Sequence, residues 1–134
     1  MQSIHDIPGD RTQNSVTDPV AAADATELQT IFIAPYPCKI TGVTITADAA
    51  VTGDNTNAKN LNIFNTGSAG AGVVEIANLD LVTGVNLVAR DEKTIGSGMS
   101  TTLAAGDVLA VQVEQVGTGV AIPRSTFKVA FQGA

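Results

Sequence analysis

Apolar and polar residues alternate with a period of two through the last quarter of the chain. In Ser125–Phe131, Phe127, Val129 and Phe131 fall on one side and Lys128 and Ala130 on the other. That is the pattern of a strand, whose successive side chains point to opposite faces. Val108–Gln115 repeats it, with Leu109, Val111 and Val113 on one face and Gln112 and Glu114 opposite. Between them, Val116-Gly117-Thr118-Gly119 holds two glycines free to take positive φ, which predicts a turn. Gly106-Asp107 predicts another. Upstream, Lys39–Ala47 sets Val43, Ile45 and Ala47 against Thr44 and Thr46. Asn60–Phe64 supplies Leu61 and Ile63, and Gly72–Leu81 supplies Val74 and Ile76. Thr26–Ala34 and Val85–Ala89 read as further strands, Asn65–Gly72 as a loop or bulged hairpin end, and Asp91-Glu92-Lys93 as a charged turn before Thr94-Ile95.

Composition supports that pattern. Val, Ile and Thr contribute 15, 10 and 16 residues against seven Leu, favouring β-branched types that suit a pleated surface over the usual filler of helices. Turn residues recur every ten positions or so, the spacing of short strands. The expected class is all-β: seven or eight strands in an antiparallel two-sheet β-sandwich, jelly-roll-like, with a closed barrel as the alternative. The first residues break the pattern. Pro8-Gly9-Asp10, Arg11 to Asn14 and Asp18-Pro19 show neither strand nor helix periodicity. Residues 1–23 therefore read as an extended N-terminal arm, ordered on assembly, and residues 24–134 as the β-sandwich domain. A short helix capped by Asp18 and Pro19 through Ala21-Ala22-Ala23 ranks below an extended segment.

A chain of 134 residues is long enough to bury a core without metal or disulfide staples. Seven basic residues against thirteen acidic ones give a net charge of -6, which argues against nucleic acid as a partner. With 15% charged and 44% hydrophobic residues, it is not a disordered acidic tail. The one cysteine, Cys38, excludes an intrachain disulfide framework and a thiolate zinc cluster. The start, Met1 to Val16, has neither a basic nor an apolar signal region, and Ile31–Ala34 falls far short of the ~20 residues of a membrane helix. The expectation is a soluble protein made in a cytoplasm, with no membrane partner.

Candidate chemistry is sparse. His5 is the only histidine and sits in the arm, a solvated residue rather than a general base or metal ligand. Cys38, between Pro37 and Lys39, reads as small filler at the start of a strand. Gly53-Asp54-Asn55-Thr56-Asn57 has alternating oxygens like a calcium loop, but Asn65 stands where the bidentate acid belongs. It reads as a turn whose Asp and Asn bond their own backbone, with a weak cation site near Asp54 as the lesser reading. The glycines of Gly67–Gly72 lack a following Lys-Ser or Lys-Thr and form no phosphate cradle. Asp91 and Glu92 are adjacent, so on a strand they face opposite ways and do not flank one bond. Ser68, Ser97, Ser100 and Ser125 have no nameable partner. The expected catalytic, cofactor-binding and metal residues are none: the protein is read as not an enzyme. Phe127 and Phe131 are assigned to the core, leaving Tyr36 and Phe64 as the aromatics open to a sugar.

The turn and loop residues carry a resemblance. Val51-Thr52-Gly53 with Thr56-Asn57, Asn65-Thr66-Gly67, Gly70-Ala71-Gly72, Asp91-Glu92-Lys93, Leu103–Leu109, Val116–Gly119 and Pro123 resemble the small head-decoration (capsid cement) β-sandwich proteins of tailed double-stranded DNA bacteriophages. The likeness spans roughly residues 24–134. It departs at Pro123-Arg124-Ser125, where the familiar pattern has Pro-Gly-Gly. The resemblance implies a virion protein on the outer surface of the phage head, partnered by the major capsid protein and assembled as a homotrimer. A glycan- or receptor-binding sandwich of a head fibre or tail tip is the alternative.

Overall fold

The structure, a computed structural model, describes residues 9–24 and 26–134. Among them are nine strands: β1 (Arg11–Thr17), β2 (Glu27–Ile33), β3 (Cys38–Ala47), β4 (Ala58–Gly67), β5 (Val74–Asp80), β6 (Glu92–Gly96), β7 (Thr101–Leu103), β8 (Val108–Val116) and β9 (Ser125–Gly133). All pairings are antiparallel. One sheet runs β1-β9-β3-β6, with β7 also on β3, and the other runs β2-β8-β4-β5. Most consecutive strands change sheet, so the chain wraps around one core in the strand order of a jelly roll. The expected all-β sandwich is the fold observed.

The two sheets face each other across Phe32, Leu61, Ile63, Leu109, Val111, Ile40, Ile45, Phe127, Val129 and Phe131, all buried. Alternation puts them there, with one interruption. In β3, Cys38 and Ile40 point inward, and then the register shifts between Ile40 and Gly42. The extra residue of this bulge moves the inward phase from even to odd numbers, so Val43, Ile45 and Ala47 take over the core. β6 pairs with the second half of β3 and β7 with the first, so they are two segments of one edge, interrupted over residues 97–100.

The arm reading is corrected for residues 11–17. They form β1, paired residue for residue with β9 from Arg11 opposite Phe131 to Thr17 opposite Ser125. The sandwich therefore includes a stretch assigned outside it. The physical reason is its place at an edge. Its inward-facing residues are polar because they stitch the neighbouring sheet instead of filling the core: Ser15 Oγ donates to the Ile31 carbonyl at 2.7 Å, and Gln13 Oε1 accepts from the Ile33 N–H at 3.3 Å. Nor does a helix follow Pro19, since Val20 bridges to Ile122. Residues 1–8, with His5, lie outside the described residues.

Smaller differences share a cause. Glu92 and Lys93 are in strand β6 rather than a turn, because Glu92 pairs across the sheet surface with Lys128 at 2.8 Å. The turn lies one step earlier, at Arg90, which takes φ 58. Val85–Ala89 makes only the single bridge from Leu87 to Val51. Asn65-Thr66-Gly67 extends β4, with a bulge between Asn65 and Gly67.

The loop after Leu81 is pressed against Gly53. A Cβ on Gly53 would lie 2.0 Å from the Val82 carbonyl oxygen and 2.3 Å from that of Val85. Gly53→Ala is expected to cost about 1–3 kcal/mol, the range of forced overpacking. Thermal unfolding checks it: an unchanged Tm would show that the 82–85 loop yields freely.

Candidate interaction surface

The outer face of the four-stranded sheet carries the most organised polar arrangement in the molecule. Register alone assembles it. On β4, Leu61 and Ile63 point inward, so Asn60, Asn62 and Phe64 point out, opposite Glu114, Gln112 and Ala110 of β8. Beyond them Asn60 and Asn62 meet Asp80 and Asn78 of β5, while Leu28 and Thr30 of β2 flank Gln112 and Ala110. The amides are tied into a network. Asn62 donates through Nδ2 to Gln112 Oε1 at 2.9 Å and to Glu114 Oε1 at 3.4 Å, and Asn60 Nδ2 donates to the same Glu114 oxygen at 3.3 Å. Asn62 is buried by this packing. Toward the other end the face becomes apolar. A groove of about 340 Å³ is lined by Leu28, Thr30, Val108 and Ala110, with Thr66 and the Ser68–Gly70 turn along its side. Leu28 in its wall remains 55% exposed, and Ile33, outside the wall but paired with Val108 of it, 54%.

A second cleft, of about 460 Å³, opens at one end of the sandwich among Pro19, Val20, Ala21, Ala49, Ala50, Ala121, Ile122, Pro123 and Asp24. Beneath these end loops lies Lys59, fully buried. It shares the inward face of β4 with Leu61, and its ammonium donates to the main-chain carbonyl of Asp24. Among the described residues no carboxylate lies within 4.0 Å of that ammonium. Gly119, at φ +75, makes room: a Cβ there would stand 2.1 Å from the Ala22 carbonyl oxygen and 3.2 Å from Lys59 Cε. Sequence reasoning missed this buried lysine: its phase in β4 matches Leu61 and Ile63, but its charge argues for solvent.

The residues singled out by sequence are not gathered into one site. Asp54 caps its own turn, accepting at Oδ1 from the N–H of Thr56 at 2.6 Å and of Asn57 at 2.9 Å. These bonds, Asn57 first, hold its carboxyl below the usual range. Asn57 Oδ1 accepts from the Thr118 N–H at 2.9 Å, tying this turn to the β8–β9 connection. Cys38 is buried at the start of β3, where burial, reinforced by the charge of Asp107, pushes its thiol up. A raised thiol is a poor nucleophile. Tyr36 leans on Phe131 with ring centroids 6.2 Å apart, whereas Phe64 sits on the outer face of the other sheet, so the two do not share a stacking platform. Among the described residues no group of three or more His, Cys, Asp or Glu is placed to hold a metal, and no helix is long and apolar enough to cross a membrane.

Two carboxylates give the domain an acid limb. The hydrogen bond from Lys128 keeps Glu92 below the usual range, as the turn does Asp54. Both values are depressed in the folded state. Their contribution is fully present above the ordinary carboxylate value of about 4 and is lost as pH falls below it. Urea midpoints of Asp54→Asn and Glu92→Gln should sit below wild type at pH 7 and converge on it toward pH 3. A gap independent of pH would contradict this.

No protein-family model matches the chain, and no curated protein does. Among solved structures it is similar to an aminopeptidase from a marine sediment archaeon (Thaumarchaeota archaeon), with 13% identity and a TM-score of 0.41, covering 92% of this chain and 31% of that one. It is also similar to the structure of infectious bursal disease virus, Gx strain, with 12% identity and a TM-score of 0.34, covering 90% and 32%. The chain thus spans about a third of the length of the solved structures it matches. Likeness at this level says nothing of activity.

Proposed function

We propose that this chain is a structural protein of a virion, acting by surface contact. More particularly, we read it as a head-decoration protein that binds the outside of an assembled phage shell, as a homotrimer contacting the major capsid protein. The observation that carries this reading is the outer face of the four-stranded sheet. A sandwich with a filled core still leaves Leu28 and Ile33 more than half exposed beside an apolar groove. Contiguous apolar surface on a soluble domain marks an interaction site. The resemblance of the loops to decoration proteins gives that contact its partner. A shell repeats one site many times, so a modest interface suffices once trimerisation multiplies it.

Co-sedimentation with heads assembled from the major capsid protein of the same genome tests the proposal. Saturable binding in multiples of three copies is expected. Heads that pellet without the protein, across salt concentrations, would overturn it. Light scattering tests the trimer separately.

A further inference from the structure

The two sheets differ in charge. The strands of the four-stranded sheet carry Glu27, Glu75, Asp80 and Glu114, and their one base, Lys59, is buried beneath the end loops. Those of the other sheet carry Arg11, Lys39, Lys93 and Lys128 against Glu92 alone, which Lys128 already engages. The amide network sharpens the difference. It turns both N–H donors of Asn62 Nδ2 onto Gln112 and Glu114 and one of Asn60 Nδ2 onto Glu114, so much of the donor capacity is used within the face. What the face offers outward is carboxylate oxygen from Glu114, Asp80 and Glu75, interspersed with neutral amides. A face with three carboxylates and, among the described residues of its strands, no exposed base is matched by ammonium and guanidinium groups, which supply both donors and the complementary charge.

We infer that the outer face of the four-stranded sheet is the docking face, and that it takes a protein surface rich in lysine and arginine with an apolar side chain seated in the groove beside Ser68–Gly70. This rests on the decoration reading, whose partner it describes. Salt bridges across such a rim fix register and speed encounter, while burial at Leu28 and Ile33 holds the complex. The contact is therefore salt-sensitive without being abolished by salt.

The test uses the full chain on the same heads, with each variant first shown to keep the wild-type thermal transition. Glu75→Gln/Asp80→Asn/Glu114→Gln is expected to bind about tenfold more weakly at low salt, with the deficit shrinking at about 0.5 M salt. Leu28→Arg, which plugs the groove and adds like charge, should lose at least as much. Thr12→Arg/Asn14→Arg, on the outer face of the other sheet, should bind as wild type. If that last variant loses binding while the first two keep it, the docking face is misassigned and the decoration reading survives. If wild type fails to bind heads, the decoration reading falls. A second measurement then judges the face alone: titration with a deca-arginine peptide should shift the side-chain amide resonances of Asn60, Asn62 and Gln112 ahead of those of Gln13 and Gln132. Uniform shifts, or capture of an uncharged glycan by the same face, would overturn the inference.

Discussion

Phe32→Ala should remove about 4 kcal/mol of stability and lower Tm by about 10–20 °C. Phe32 lies on β2 in one sheet and is 1% exposed. Its ring meets Phe131 of β9, in the other sheet, edge-on at a centroid distance of 5.1 Å. Truncation thus removes buried area and a favourable aromatic pair at the seam where the sheets join. The strands beside and opposite it, β8 and β9, are each paired on both sides, so little collapse refills the space. Against the 5–15 kcal/mol typical of a domain this is a large fraction. Phe64→Ala is the matched control: the same atoms leave a half-buried site on an outer face, at an expected cost of about 1 kcal/mol. Chemical denaturation of both decides it. Equal losses would mean the two sheets are not held by the Phe32–Phe131 contact.

Lys59→Ala should cost about 3 kcal/mol, and Lys59→Met should restore all but about 1 kcal/mol of it. The side chain is fully buried, and its ammonium bonds one neutral carbonyl, that of Asp24. Burying a charge against a single neutral acceptor is costly, so the head group contributes little net stability. The stem is different. Its methylenes fill the end of the core under the loop that Gly119 approaches, and alanine would leave that volume empty. Methionine keeps the length and discards the charge. If methionine proves as damaging as alanine, the bond to the Asp24 carbonyl, not the packing of the stem, fastens the loop.

How much was readable in advance depended on where each residue lay. β8 and β9 were plain because both are interior strands with one face on the core, and there alternation is imposed at every position. β1 was opaque for the opposite reason: Gln13 and Ser15 face inward, yet serve backbone groups of β2, so nothing apolar marks the strand. In β3 the pattern was read from Val43 onward, and the bulge at Gly42 hid the earlier half. Val85–Ala89 looked like a strand by composition but has a neighbour only at Leu87, because pairing is a property of what lies alongside.

The interaction surface was less legible still. Gln112 and Glu114 read as outward positions of a strand, whereas on Asn60–Phe64 only Leu61 and Ile63 stood out. The convergence of Gln112 and Glu114 with Asn60 and Asn62 depends on β4 lying beside β8 in one particular register, with Asn62 opposite Gln112, and no local signal states that. Lys59 illustrates the same limit. Its phase matched Leu61 and Ile63, so alternation pointed it inward, but its charge argued outward; only the end loops closing over it resolve the conflict. The Asp54 turn, by contrast, was foreseeable, since an Asp that caps the second and third N–H after itself needs no distant partner.

β9 sits between β1 and β3 in its sheet. A ribosome delivers it after every other strand of the domain, so β1 and β3 emerge without the neighbour they share. The half built on β2, β4, β5 and β8 is complete in sequence earlier and can form while translation continues. Its companion waits for β9 to emerge, and chains stalled or truncated before it would expose two unpaired strand edges to aggregation.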